Sequence, residues 1–266
     1  MSAFDDDLAF ATAIVVAAGR LIMDRYERVE RVDYKSARDI VTEVDHLSEE
    51  LIIKAIRERF PGDAILAEES GEHATGSGEA PTSGTGRVWI IDPVDGTINY
   101  ANGIPFFCVS LGLAVDGRPA AGVVLDPTRN ELFAATADGP ATLNDRVIRA
   151  SEKDKLTDFV IQMSLSGRAA ATRARAVRKE IRISRSMGSS ALALAYAANG
   201  RFDAFIQQGG MSNWDIAAAG LIAERAGATV TSIDGGSWFD ITRASRAVSA
   251  AAAPSAHHAR ILELIR

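Results

Sequence analysis

Two aspartates three residues apart close an apolar run: Val88-Trp89-Ile90-Ile91-Asp92-Pro93-Val94-Asp95-Gly96-Thr97. The Asp92 and Asp95 carboxylates, with the Val94 carbonyl between them, offer three oxygen donors that suit a hard cation such as Mg²⁺. Gly96-Thr97 then opens a short helix whose free amides can hold a phosphate. The chemistry on offer is a metal-assisted phosphate site at a strand end. The competing reading is a surface turn, because Asp-Pro and Asp-Gly are ordinary turn dipeptides. The chain carries its own control in Asp126-Pro127-Thr128-Arg129-Asn130, which also follows an apolar run. It lacks a second acid at the fourth place and reads as a plain hairpin turn.

Several elements must position these groups. Val88 to Ile91 has the composition of a strand buried on both faces. Pro93 fixes its own φ and disfavours the α region at Asp92, so the strand is expected to end there in a β-turn. Upstream, Ala64 to Ala67 is a second short strand that also runs into acids, Glu68-Glu69. Thr42 sits at a helix N-cap with Asp45 three residues on, ahead of the apolar stripe Val44, Leu47, Leu51, Ala55 and Ile56. A capping box accounts for that pair, and so does a place beside the metal. Far downstream, Trp214-Asp215 opens a helix rich in small residues. Dipole compensation and metal ligation explain Asp215 equally well.

The rest of the chain supplies a frame. Asp5 to Asp7 begin a helix running to about Glu30. Phe106 to Val115, Ala121 to Leu125, Glu131 to Thr136 and Val147 to Ala150 read as strands joined by short turns, hence an antiparallel meander. From Lys155 the pattern alternates. Phe159 to Met163 and Ile181 to Ser184 are strands flanking a basic helix, Arg168 to Glu180, whose charges form a solvated face or steer anions. Arg185 to Ser190 is a small-residue turn before a helix at Ala191 to Ala198. Phe202 to Ile206 is a strand and Gln207 to Asn213 a loop. Ala228 to Ile233 and Ala247 to Ala251 are the last strands, and Pro254-Ser255 opens the final helix. Gly71 to Gly86, rich in glycine, serine and threonine, is a disordered excursion or a flap beside the site. The chain reads as one compact unit of two halves, 1–152 and 153–266, with no linker between them.

A net charge of −6 argues against nucleic acid as the main partner, and it requires a local positive charge for any bound phosphate. Metal ions supply one. A single cysteine, Cys108, excludes an internal disulfide and reads as a core residue. His46, His73, His257 and His258 lack zinc-ligand spacing. The acidic N-terminus is unlike a signal peptide, and no apolar run is long enough to span a bilayer. The expected location is cytoplasmic, with no membrane association.

With Glu68-Glu69, Asp92-Pro93-Val94-Asp95-Gly96-Thr97 and Trp214-Asp215 in hand, the chain resembles the inositol monophosphatase family. Its wider group is the lithium-sensitive, Mg²⁺-dependent sugar-phosphate phosphatases. The resemblance implies an α/β fold, a layered α/β/α/β/α sandwich of the inositol monophosphatase/fructose-1,6-bisphosphatase type, usually as a homodimer. It implies two to three Mg²⁺ ions. Glu68, Asp92 and the Val94 carbonyl would hold the first, and Asp92, Asp95 and Asp215 the second. Glu68 would help to place a weaker third. Asp45 with Thr97 would order the attacking water, and the Gly96 and Thr97 amides would take the phosphate. The Arg185–Ser190 turn with Ser189 and Ser190, Gln208 and the other residues before Trp214 would face the alcohol, together with the metal ligands Asp95 and Asp215. The implied reaction is hydrolysis of a phosphate monoester by in-line attack of a metal-activated water. Inositol monophosphate or a related polyol phosphate is the expected substrate. The alternatives are fructose 1,6-bisphosphate, 3′-phosphoadenosine phosphate, histidinol phosphate, or a regulatory protein-binding role on the same fold. Gln208 stands where the family usually has a glutamate, and Ser190 replaces a usual alanine.

Overall fold

The computed structural model describes residues 2–28, 31–36, 39–73 and 84–266. Helix α1 (Asp5–Asp24) is followed by the hairpin β1 (Val32–Ser36) and β2 (Asp39–Thr42), helix α2 (Glu43–Arg59) and strands β3 (Ala64–Ala67) and β4 (Gly71–His73). Next come β5 (Arg87–Asp95), the short helix α3 (Thr97–Ala101), β6 (Cys108–Val115), β7 (Arg118–Asp126), β8 (Glu131–Thr136), β9 (Thr142–Leu143) and β10 (Arg146–Val147). The second half comprises β11 (Val160–Ser164), α4 (Ala170–Arg178), β12 (Ile183–Arg185), α5 (Ser190–Ala198), β13 (Ala204–Met211), α6 (Asn213–Arg225), β14 (Thr229–Thr231), β15 (Val248–Ala253) and α7 (Ser255–Ile265).

Strands of the first half form an eight-stranded sheet, ordered β10-β9-β8-β7-β6-β5-β3-β4, in which only β3 and β5 run parallel. From β5 onward it is the meander that the short turns require. The second half builds a five-stranded mixed sheet, β12-β11-β13-β15-β14. Helices α1 and α2 cover one face of the large sheet, α5 and α6 lie between the two sheets, and α4 and α7 pack together with α7 on β15. The result is five layers, α/β/α/β/α. Three apolar cores fill the gaps: one under α1 and α2 with Trp89 and Ile91, one around α5 and α6, and one between the small sheet and α7. Every residue from Ala191 to Ala198 of α5 is buried, as a helix held between two sheets must be.

Helix α6 is seated unusually close to the large sheet. A β-carbon at Gly122 would lie 2.7 Å from Ala218 Cα, and one at Gly112 would lie 3.0 Å from Ala217 Cβ. The small residues of α6 and these two glycines let backbone approach backbone. No helix among the described residues is long and apolar enough to cross a membrane.

Several sequence expectations need correction. Strand β5 does not stop at Ile91 but continues through Asp95, because a bulge accommodates Pro93 where no ladder donor is needed. Gln207 to Gly210 are not a loop, since they extend β13 to Met211 with an irregular register against β15. The strand expected at Val147–Ala150 shrinks to Arg146–Val147. Beyond it, Ile148 and Ala150 bond to Ala141 and Ala226 instead of to a neighbouring strand. Helix α1 ends at Asp24, short of Glu30. Of Gly71–Gly86, the first three residues form β4 against β3, and residues 74–83 lie outside those described. The control turn behaves as read: Asp126 Oδ1 accepts from the Thr128 and Arg129 amides at the end of β7.

Candidate metal and phosphate site

Two aspartates three apart on a regular strand point to opposite faces, since side chains alternate. The bulge in β5 removes that obstacle. Asp92 pairs with Ser110 and Asp95 with Cys108, so one extra residue on β5 resets the alternation. Both carboxylates then line the same cavity, of about 620 Å³. Asp215 joins them from the first turn of α6, and each of the three offers an oxygen within 4.8 Å of the others. Glu68, from the turn after β3, lines the same cavity, as do Val94, Gly96, Thr97 and Ser190.

Gly96 joins β5 to α3 at φ +95°, and a β-carbon there would come within 3.1 Å of the Phe106 carbonyl. Conformation and space both call for glycine. The Thr97 hydroxyl lies 2.9 Å from Asp45 Oδ1 and 3.0 Å from the Val94 carbonyl oxygen. Asp45 itself is fully buried. Its Oδ2 accepts from the Thr42 amide at 2.9 Å and the Thr42 hydroxyl at 2.6 Å, closing the capping box of α2. The two readings of Asp45 therefore coexist, one on each oxygen.

The same division recurs twice. Asp95 Oδ2 accepts from Ser189 Oγ at 2.5 Å and from the Ala191 amide at 2.6 Å, at the start of α5. Asp215 Oδ2 accepts from the Ser212 amide at 2.6 Å, at the start of α6. Helix N-termini stabilise nearby negative charge. They also fix the rotamer, because one oxygen is held.

Burial and neighbouring charge both disfavour ionisation in the cluster. Burial, followed by the charges of Glu68, Asp95 and Asp215, pushes the Asp92 carboxyl well above its usual range. Burial and then Asp95 do the same to Asp215, opposed by the Ser212 amide and by Arg246. Burial also raises Asp95, against the hydrogen bonds from Ser189 and the start of α5. Asp92 Oδ1 is buried without a hydrogen-bond partner among the described residues. Converging carboxylates, hard oxygen donors and an orphaned buried oxygen fit divalent cations of the Mg²⁺ type.

Not every expected contact lines the cavity. Ser189 points to Asp95 and caps α5, accepting from the Leu192 amide, so its neighbours Gly188 and Ser190 do the lining. Gln208 lies on β13 outside the cavity wall, its Oε1 enclosed without a partner among the described residues, while Gly210 of the same strand takes the lining position. Other residues escaped the sequence reading. Glu49, on α2, accepts the Glu69 and Ser70 amides at 2.9 Å each and thereby holds the turn that carries Glu68. It falls four residues after Asp45, on the same helix face, which was its signal. Asn99 Nδ2 donates to the Phe106 and Met187 carbonyls, tying α3 to the turn before α5. Arg246 and His46 also line the cavity, beside Ser212, which the expected contacts before Trp214 already included. Ser212-x-x-Asp215 repeats the Thr42-x-x-Asp45 spacing, so that capping box was legible as well.

Known proteins resemble this chain along most of its length. Residues 5–266 match the inositol monophosphatase family. The chain is 38% identical over 229 residues to the Nus factor SuhB of Pasteurella multocida, covering 82% of each. It is 35% identical over 232 residues to inositol monophosphatase 2 of Solanum lycopersicum, covering 85% of this chain and 86% of that one. The solved structure of the Thermotoga maritima IMPase superposes with a TM-score of 0.85 at 32% identity, over 98% of this chain and 96% of that one. A sandwich of five layers, a carboxylate cluster at a bulged strand end and a match over nearly the whole length make this chain a member of the inositol monophosphatase family.

Proposed function

We propose that the protein is a Mg²⁺-dependent phosphomonoesterase acting on inositol monophosphate or a related polyol phosphate. The observation that carries this reading is the cluster of Asp92, Asp95 and Asp215, buried or partly buried with their oxygens mutually within 4.8 Å. Clustered carboxylates at that range repel one another unless cations are present.

Two to three Mg²⁺ ions, held by Glu68, Asp92, the Val94 carbonyl, Asp95 and Asp215, would activate water, offset phosphate charge and stabilise the leaving oxygen. The residues do the rest. The Gly96 and Thr97 amides bind phosphate oxygens. The Thr97 hydroxyl directs its proton at Asp45 Oδ1 or the Val94 carbonyl, which leaves its lone pairs to accept from the attacking water. Thr97 and Glu68 thus orient the water in line with the departing alcohol. Asp45 holds Thr97 in place, and the proton the water gives up leaves on the departing alcohol. Ser190 and the wall from Gly210 to Trp214 receive the alcohol. The homodimer and the lithium sensitivity of the wider group belong to the same reading, and sedimentation and Li⁺ inhibition assays test them.

A panel of phosphate esters assayed with Mg²⁺ is the direct test. Hydrolysis of a polyol monophosphate, lost in D92N and D215N, supports the proposal. Activity unchanged in those variants overturns the ligand assignment. A second reading, in which the chain binds a protein partner, is favoured by the name of the Pasteurella multocida relative, which describes a factor. Affinity capture with D92N, which keeps the surface, tests it: a stoichiometric partner supports that role, and none removes it.

A further inference from the structure

The cavity wall carries five carboxylates, from Glu68, Glu69, Asp92, Asp95 and Asp215, and one guanidinium, from Arg246. No other lysine or arginine is among the described residues that line it. Arg246 comes from the segment before β15, where its backbone meets Gly210 and Ser212, and it lines the cavity along with Trp214, Asp215 and Ser245. The amides offered to the reacting phosphate come from a different place, the β5–α3 junction at Gly96 and Thr97.

Its backbone is held in an unfavourable conformation. Arg246 has φ +64°, in the left-handed region that a residue with a long side chain seldom occupies. Such a conformation persists where the surroundings over-determine it, and functional sites are where it collects. Here the Arg246 amide donates to Ser212 Oγ at 2.9 Å, and its carbonyl accepts from the Gly210 amide at 3.1 Å. The Ser212 amide in turn donates to Asp215 Oδ2 at 2.6 Å. A single serine therefore fixes both a carboxylate of the cluster and the backbone that launches the guanidinium. Asn213 reinforces this, its Nδ2 donating to the Ile241 carbonyl at 3.3 Å and so anchoring the start of the same segment.

We propose that Arg246 is a specificity residue that binds a second anionic group, a phosphate or carboxylate, on the alcohol part of the substrate. This rests on the phosphomonoesterase reading above and narrows it. An ester whose alcohol bears its own oxyanion meets a wall rich in carboxylates, and cations that neutralise the reacting phosphate do not serve that second group. A guanidinium fork does, by paired charge-assisted hydrogen bonds. Within the polyol phosphates, Arg246 selects esters with a second charge over neutral ones. The competing role is a simple counter-charge to Asp215, which would act on all substrates alike.

The test uses the full-length protein with Mg²⁺ and two matched pairs of esters. Fructose 1,6-bisphosphate against fructose 1-phosphate reads a second phosphate, and 3-phosphoglycerate against glycerol 3-phosphate reads a carboxylate. Wild type should favour the doubly charged member of at least one pair in kcat/KM, on the order of tenfold. R246Q should collapse that ratio toward one, and R246K should restore part of it. The pair that responds identifies the oxyanion. A wild-type ratio near one in both pairs overturns the proposal. So does an R246Q variant that lowers both members equally, because a counter-charge role leaves the ratio untouched. If no ester is hydrolysed, the phosphatase reading fails while this one stays testable. Calorimetry with Ca²⁺ in place of Mg²⁺ would then compare binding of the same pairs. Equal affinities, or no binding, in wild type reject the role of Arg246.

Discussion

Thr97 Oγ1 lies 2.9 Å from Asp45 Oδ1, while Asp45 Oδ2 closes the first turn of α2 on Thr42. One carboxylate thus joins a helix cap to the hydroxyl that faces the proposed reaction. Asp45→Asn keeps an acceptor for the cap but turns an amide donor toward Thr97. The threonine proton is then driven to the Val94 carbonyl, and the amide occupies a lone pair that would otherwise accept from the water. We expect kcat to fall by on the order of 10²-fold with KM little changed. The cap should weaken by roughly 1 kcal/mol. Steady-state kinetics and a melting curve separate the two effects.

Glu49 reaches the site only through the backbone of Glu69 and Ser70. Glu49→Gln satisfies one of those amides and opposes the other with its own NH₂. The turn carrying Glu68 loosens, and Mg²⁺ affinity should drop about 10-fold to 100-fold, as outer-shell losses commonly do. Titration of activity against Mg²⁺ reads this directly. An unchanged half-saturation point would remove Glu49 from the positioning scheme.

The carboxylate cluster makes metal-free protein sensitive to pH in a defined direction. Asp92, Asp95 and Asp215 have folded pKa values raised above the ordinary 3.8. The folded state therefore binds more protons than the unfolded one in the window above 3.8, and stability falls as pH rises through that window. Mg²⁺ binds the deprotonated form and reverses the loss. The Mg²⁺-induced rise in Tm should be larger at pH 8 than at pH 5. In EDTA at pH 8, Asp92→Asn should melt roughly 2–4 °C above wild type, equivalent to about 1 kcal/mol of relieved repulsion. Differential scanning calorimetry with and without EDTA checks both.

His258 acts with the opposite sign. It is buried on α7 with Nε2 3.1 Å from Thr231 Oγ1, and burial lowers its pKa below the ordinary 6.5. The unfolded state binds the extra proton, so stability is present above 6.5 and is lost as pH falls below it. With Mg²⁺ saturating, His258→Gln should flatten the decline in Tm between pH 7 and pH 5. A parallel decline in the variant would assign the acid limb to other groups.

The pair Asp92 and Asp95 about Val94 was legible in the sequence from residue types at short spacing, whereas Glu68 and Asp215 joined it only through the family resemblance; the structure brings all four to one cavity. The antiparallel meander followed from turn lengths, and the layer order from the family resemblance. What escaped depends on register. A bulge in β5 cannot be read from Asp-Pro-Val-Asp, since the same dipeptides also make turns, and here the sheet pairing with β6 decided the matter. Gln208 was assigned to the alcohol as part of a loop, but β13 extends through it and moves the lining position to Gly210. Arg246 lies 31 residues beyond Asp215, with nothing local to mark it, and Ser212 bonds to both.

The close seating of α6 on the large sheet has a mechanical consequence. Asp215 rides on that helix, and Asp92 and Asp95 ride on the sheet. Where Ala218 meets Gly122, main chain rests on main chain, with no layer of side chains between them to compress or repack. The span across the carboxylates is then set as by a ruler, through covalent geometry and not through core volume. Substitutions elsewhere in the core can drift through evolution without altering the spacing of the carboxylate cluster. A methyl group at Gly122 would force the two surfaces apart, so one of the smallest changes available to this chain is among the few able to retune its site.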